Sequence, residues 1–267
     1  EIQIRTQSMH HLAEEGIAVR DGSLSYPLTP LRIEPPKKPL NVVWLVAESL
    51  RFDMLEPAIM PQLWRFSESA TRFENHYSGG NLTQMGVFSM FYGLYSTYWF
   101  PVLANRRAPL LLDTLQAQNY QFGLYTSQRF TFPPFDKTVF VNMNRADMHE
   151  RSGGAEAWQR DRQNVADIID FIDQRDPARP FMTYMFFEST HANYYFPPDL
   201  AIARPYLDDL NYLTADFRAE IDKIKNRYIN ASHHVDQQVG RLLDHLREKK
   251  LLDSTIVLVL GDHGEEF

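Results

Sequence analysis

Runs of uninterrupted apolar residues, set between stretches of helical spacing, frame this sequence. Residues 41–47 (Asn-Val-Val-Trp-Leu-Val-Ala) are apolar at nearly every position instead of at alternate ones. That is the pattern of a strand covered on both faces, and so of a central parallel strand. Residues 181–187 and 256–260 repeat the pattern, and 122–125 is a shorter example. Residues 61–68, with Pro61 near the start, 83–92, 110–118, 165–172 and 217–250 read as helices. In the last of these, Val235, Val239, Leu242, Leu243 and Leu246 share one face. Residues 73–77 read as a return to extended chain, 78–81 (Ser-Gly-Gly-Asn) as a turn, and 128–134 and 194–198 as loops rich in aromatics and proline. A weak helical start at 9–15 and a proline-containing stretch at 26–36 look like a tether. The expected organisation is an N-terminal arm or linker over 1–37 and one domain over 38–267. Strands alternating with helices, with polar residues just past several strand ends, predict an α/β fold. Its sheet is doubly wound, mostly parallel and flanked by helices, with the site beyond the C-terminal strand ends.

Composition narrows the chemistry. The 267 residues are 44% hydrophobic and 23% charged, enough for a full core. A formal net charge of −7 argues against a nucleic-acid binder. With no cysteine, disulfide scaffolds, cysteine-type zinc sites and cysteine nucleophiles drop out. No apolar run approaches bilayer-spanning length. The chain starts at Glu1 and stops at Phe267 inside an expected active-site loop, so we expect sequence beyond both ends.

Asp262-His263 follows the strand at 256–260 between two glycines, and Glu48 ends the strand at 41–47. A carboxylate and an imidazole at one strand end and a carboxylate at another suit a divalent metal. Each of them alone also fits an ordinary polar loop or cap. Thr83 opens a helix after Gly79-Gly80-Asn81-Leu82, where a hydroxyl meets free N–H groups. It fits a metal-activated nucleophile or a plain N-cap, and the helix N-terminus could equally hold an anionic group without attacking it. His191 also follows a strand, and fits a phosphoryl-binding or acid role as well as a structural one. His233-His234 and His10-His11 read as packing or surface residues, and Asp53 as structural.

Residues 41–53, 60–66, 72–77, 228–240 and 252–265, the last ending Gly-Asp-His-Gly-Glu, resemble the sulfatase and alkaline-phosphatase superfamily over about 38–267. Glu48 and Thr83 look like its lipoteichoic-acid synthase and phosphoglycerol-transferase branch. That resemblance implies a single Mn or Mg held by Glu48, Thr83, Asp262 and His263. It implies Thr83 as nucleophile and His191 on the substrate phosphate. The branch's His, Trp and Arg head-group cluster is not matched in residues 125–134, where Arg129 is a partial substitute. The chain is most similar to the periplasmic domain of an enterobacterial inner-membrane family with an N-terminal transmembrane domain. Partners implied are cardiolipin, lipopolysaccharide, that transmembrane domain and a membrane regulatory protein. The expected function is therefore lipid binding that regulates lipopolysaccharide synthesis and outer-membrane integrity, with the aromatics of 130–135 and 194–196 facing lipid or the transmembrane domain. The alternative is a metal-dependent phosphatase or phosphoglycerol-transferase-like hydrolase using Thr83.

Overall fold

The computed structural model describes residues 24–208, 210 and 217–267. The helical start at 9–15, with His10-His11, lies outside them. Five parallel strands form one sheet: β1 (Asn41–Ala47), β2 (Gln121–Thr126), β3 (Met148–Glu150), β4 (Phe181–Phe187) and β5 (Thr255–Gly261), in the order β3-β2-β4-β1-β5. β1 is covered above and below, as its apolar run requires, because helices occupy both faces of the sheet. On one face Val43, Leu45 and Ala47 pack with α1 (Pro61–Ser67), α5 (Ala157–Gln174) and α6 (Phe217–Glu248) through residues such as Leu63, Val165 and Val239. On the other, Trp44 and Val46 pack with α2 (Thr83–Tyr92), α3 (Trp99–Asn105) and α4 (Leu110–Ala117) through Phe88, Phe91, Trp99 and Leu112. Stacked Trp44 and Phe91, with ring centroids 4.6 Å apart, bind α2 to the sheet. The doubly wound α/β architecture expected from the sequence is the one observed.

The register positions the site. Ala47 at the end of β1 lies opposite Phe187 of β4 and Gly261 of β5. The three strands therefore finish level, and the next residue of each is acidic: Glu48, Glu188 and Asp262. Neighbouring strands lie about 4.8 Å apart, so three carboxyl groups begin from adjacent places along one sheet edge.

Several expectations need correction. Residues 73–77 carry no strand, and Phe73 and Tyr77 are exposed. β5 reads as a buried strand, yet Ile256 is 45% exposed; β5 pairs with β1, and no other described strand lies beside it. β3 and α3 were not anticipated. The tether of 26–36 is irregular and mostly exposed, and Tyr26 pins it at one end: its carbonyl accepts from Arg107 Nε at 3.1 Å. The aromatics expected to face lipid are largely core. Phe130, Phe135, Tyr194 and Phe196 are buried, with Phe130 packed on Phe140, Tyr194 on Tyr228 of α6 and Phe196 on Tyr206, and Phe132 stands out into solvent.

Candidate metal centre

The group of Glu48, Asp262 and His263 offers one ligand atom each, all within 4.8 Å of one another. Asp262 is wholly buried. Its Oδ1 accepts from the backbone N–H of Ser49 and of His263, both at 2.9 Å, while Oδ2 is buried without a partner. A buried carboxylate oxygen with no donor is costly, and a cation is the partner it lacks. His263 Nδ1 donates to the Gly264 carbonyl at 2.7 Å, which turns Nε2 toward Glu48 Oε1 at 3.2 Å and Asp262 Oδ2 at 3.6 Å. Anchoring one ring nitrogen on a carbonyl is how ligating histidines are usually oriented. The orphaned oxygen and the mixed carboxylate–imidazole donor set fit a single divalent cation.

Thr83 joins the group as the first residue of α2. Leu82 is the N-cap and no side chain caps the helix, so Thr83 is not the plain cap that its position allowed. Its Oγ1 donates to Glu48 Oε1 at 2.8 Å. The loop after β1 is held tightly. Ser49 has φ +56, a region that non-glycine residues rarely adopt, and its carbonyl accepts from Tyr228 Oη of α6 at 2.7 Å. Gly86, one turn into α2, lies against Asp262: a Cβ there would sit 2.1 Å from the Asp262 carbonyl oxygen. At Gly261 a Cβ would sit 2.2 Å from the Leu50 carbonyl. Both glycines let backbones close in around the acidic row.

Protonation follows from this crowding. Burial and the neighbouring Glu48 push Asp262 up to about 7, with His263 and two N–H donors pulling it back. Burial alone would lower His263, but its hydrogen bond to Glu48 and the charge of Asp262 raise it to about 9. Without a metal, the imidazolium proton supplies the positive charge that the carboxylates require.

A cavity of about 170 Å³ opens beside Thr83 and Glu48. His191 lines its mouth, with Nδ1 3.3 Å from Glu188 Oε1. Gln128 Nε2 donates to the same oxygen. Burial, then Glu48 and Asp161, push Glu188 up to about 9. The turn that carries Glu188 and His191 is anchored on Asp161 of α5, which is fully buried. Asp161 accepts from the backbone N–H of Glu188 at 3.1 Å and of Ser189 at 2.9 Å, and from the Ser189 hydroxyl. Thr190 Oγ1 donates to the Glu48 carbonyl at 2.5 Å, tying this turn to the metal centre.

Of the residues expected at the site, Glu48, Thr83, Asp262 and His263 come together and His191 faces them across the cavity. Asp53 instead pairs with Arg51 at 2.8 Å. His234 is buried in α6, where burial drives it down to about 3, and its Nε2 lies 3.1 Å from the Trp158 carbonyl. His233 Nδ1 donates to the Ile59 carbonyl at 2.7 Å. Sequence reasoning missed Glu188, Asp161 and Gly86. The strand-end rule that selected Glu48 would have selected Glu188 after the apolar run at 181–187.

The family model described as Sulfatase matches residues 40–267. The chain belongs to the sulfatase family. Inner membrane protein YejM of Salmonella typhimurium is 28% identical over 243 residues, covering 91% of this chain and 36% of that protein. The sulfatase-family chain thus spans about a third of the length of the curated relatives it matches. Two solved structures share the fold. The lipoteichoic acid synthase LtaP from Listeria monocytogenes aligns with a TM-score of 0.64 at 16% identity, over 86% of this chain and 57% of that one. A protein of the alkaline phosphatase superfamily from Vibrio parahaemolyticus aligns with a TM-score of 0.61 at 17% identity, over 86% and 56%.

Proposed function

We propose that this domain is a metal-dependent hydrolase or transferase acting on a phosphoester, with Thr83 as nucleophile. The observation that carries the reading is the hydrogen bond from Thr83 Oγ1 to Glu48 Oε1, inside a cluster whose Asp262 Oδ2 is buried without a partner. Glu48, Asp262 and His263 would hold the metal, with Thr83 beside it; Mn or Mg suits the oxygen-rich set. Such a cation, when bound, acts as a Lewis acid and lowers the pKa of an alcohol or water. Glu48 orients the Thr83 hydroxyl and can take its proton. The Thr83 oxygen then bonds to phosphorus as the ester oxygen departs, and His191 at the cavity mouth is placed to protonate the leaving alkoxide. Water or a second alcohol afterwards releases the phosphoryl group from Thr83. Hydrolysis of 4-nitrophenyl phosphate with and without Mn tests this. Metal-dependent turnover lost in Thr83→Ala supports it; equal rates in wild type and variant oppose it.

A second reading, favoured by the likeness to an inner-membrane protein, places residues 38–267 as a periplasmic domain behind a membrane-tethering arm at 1–37. There it would engage cardiolipin or lipopolysaccharide, act with its own transmembrane region and a membrane regulatory protein, and regulate lipopolysaccharide synthesis and outer-membrane integrity. The burial of Phe130, Phe135, Tyr194 and Phe196 removes the aromatic surface first expected to carry that role. No helix among the described residues is long and apolar enough to cross a membrane.

A further inference from the structure

Ser49, the residue after Glu48, holds a backbone conformation that its own chemistry disfavours. Leu50 N–H donates to the Ala47 carbonyl at 3.3 Å and closes a tight turn. Ser49 is its third residue, with φ +56, a place that glycine usually takes because a Cβ is strained there. Something outside the turn must therefore keep it in place. Glu48 N–H donates to the Phe187 carbonyl at 3.0 Å, and Ser49 N–H to Asp262 Oδ1 at 2.9 Å. On the far side of the turn a single atom of α6 supplies both partners. Tyr228 Oη donates to the Ser49 carbonyl at 2.7 Å and accepts from the Arg51 N–H at 2.8 Å. Tyr228 is 1% exposed, and burial pushes its phenol well up, so the donor proton stays in place. Its ring meets Tyr194 at 5.3 Å and Phe267 at 5.1 Å. Tyr194 follows the His191 turn and Phe267 follows His263, so this one side chain touches the segments that leave β1, β4 and β5. Those segments also grip one another: Arg51 Nη1 donates to the Glu265 carbonyl at 2.7 Å, and Tyr194 Oη to Glu265 Oε2 at 3.0 Å.

We infer that Tyr228 is a positioning residue of the metal centre. Its hydroxyl keeps Ser49 in the left-handed region, which sets the Glu48 carboxylate beside Thr83 and the Ser49 N–H on Asp262 Oδ1. The inference rests on the metal reading of the Glu48 cluster and adds how the centre is shaped before an ion enters it.

Three physical arguments support it. A tyrosine hydroxyl donates one hydrogen bond and accepts another; phenylalanine would fill the same space and leave the Ser49 carbonyl and the Arg51 N–H without partners. A turn freed of that hold relaxes away from positive φ, and the peptide groups on both sides of Ser49 rotate with it, one of them the N–H that Asp262 accepts. Partners that orient metal ligands are worth about 10–100-fold in metal affinity. Asp262 and Thr190 still hold the near side of the turn, so the lower end of that range applies here.

The test is calorimetric titration of Mn into the metal-free chain as wild type, Tyr228→Phe, Ser49→Gly and the double variant, with urea unfolding of each. Tyr228→Phe should weaken Mn binding by about tenfold. Glycine adopts positive φ without strain, so in the Ser49→Gly background the same substitution should cost about threefold at most. A purely structural tyrosine would lower the urea midpoint equally in both backgrounds and leave Mn affinity alone. Wild-type Mn affinity in folded Tyr228→Phe, or an equal loss in both backgrounds, overturns the positioning role and leaves the metal reading in place. Absence of Mn binding to the wild type overturns both. If Tyr228→Phe does not fold, folding restored by Ser49→Gly supports the hold on the turn, and failure in both backgrounds overturns it.

Discussion

Gly86→Ala is a test of how the centre is built, because two effects of known size oppose one another there. In a helix interior alanine is favoured over glycine by about 1 kcal/mol, so propensity alone predicts a more stable protein. The contact predicts the reverse. The new Cβ would lie 2.1 Å from the Asp262 carbonyl oxygen, whereas real Cβ contacts essentially never fall below 3.0 Å. The atom it meets is backbone just past the end of β5, where Gly261 is itself packed against the Leu50 carbonyl, so α2 must retreat by about 1 Å. Overpacking of this kind costs about 1–3 kcal/mol, which outweighs the propensity gain through most of that range. Thr83 rides on the same helix three residues earlier. A shift of about 1 Å in a reacting group can cost about 10²-fold in rate. Urea unfolding should show a net loss of up to about 2 kcal/mol, Mn binding should weaken, and phosphatase turnover should fall by about 10²-fold. A Gly86→Ala protein at least as stable as wild type, with unchanged Mn affinity, would refute the claim that close backbone approach sets the geometry.

Other consequences follow from the buried acids. Removing the Asp161 side chain in Asp161→Ala orphans the N–H groups of Glu188 and Ser189 and should destabilise by about 3 kcal/mol; stability within about 0.5 kcal/mol of wild type in urea titration would contradict this. In metal-free protein Asp262 and His263 both titrate above their ordinary values. Their stabilising protons are fully present below the unfolded pKa of each and are lost as pH rises through about 7 and about 9. The metal-free melting temperature should therefore fall between about pH 4 and 9. Mn needs those sites deprotonated, so the rise in melting temperature on adding Mn should grow over the same interval; a Mn effect independent of pH would count against these ligands.

The sequence was legible where burial alone decides structure. The strands at 41–47 and 181–187 are apolar on both faces, and α2 was read over its observed span, Thr83–Tyr92, which Gly93 closes with a left-handed backbone (φ 62). β3 was hidden because three residues, Met-His-Glu, carry too little pattern to separate from a loop. The exposure of β5 depends on its place at one end of the strand order, which no local pattern encodes. The level register of β1, β4 and β5 joins residues some 140 and 214 positions apart. That register, and not any motif, sets Glu188 and Asp262 on either side of Glu48. The same applies to Gly86, where an ordinary helical glycine becomes meaningful only once Asp262 is packed against it.

Titration of Mn into the metal-free chain by calorimetry, repeated with Glu48→Gln and Asp262→Asn, addresses the central claim most directly. The account predicts one ion bound per chain, with affinity reduced by at least about tenfold in each variant while the variants stay folded. Absence of binding to the wild type, or binding that both substitutions leave unchanged, would contradict a metal centre at the ends of β1 and β5.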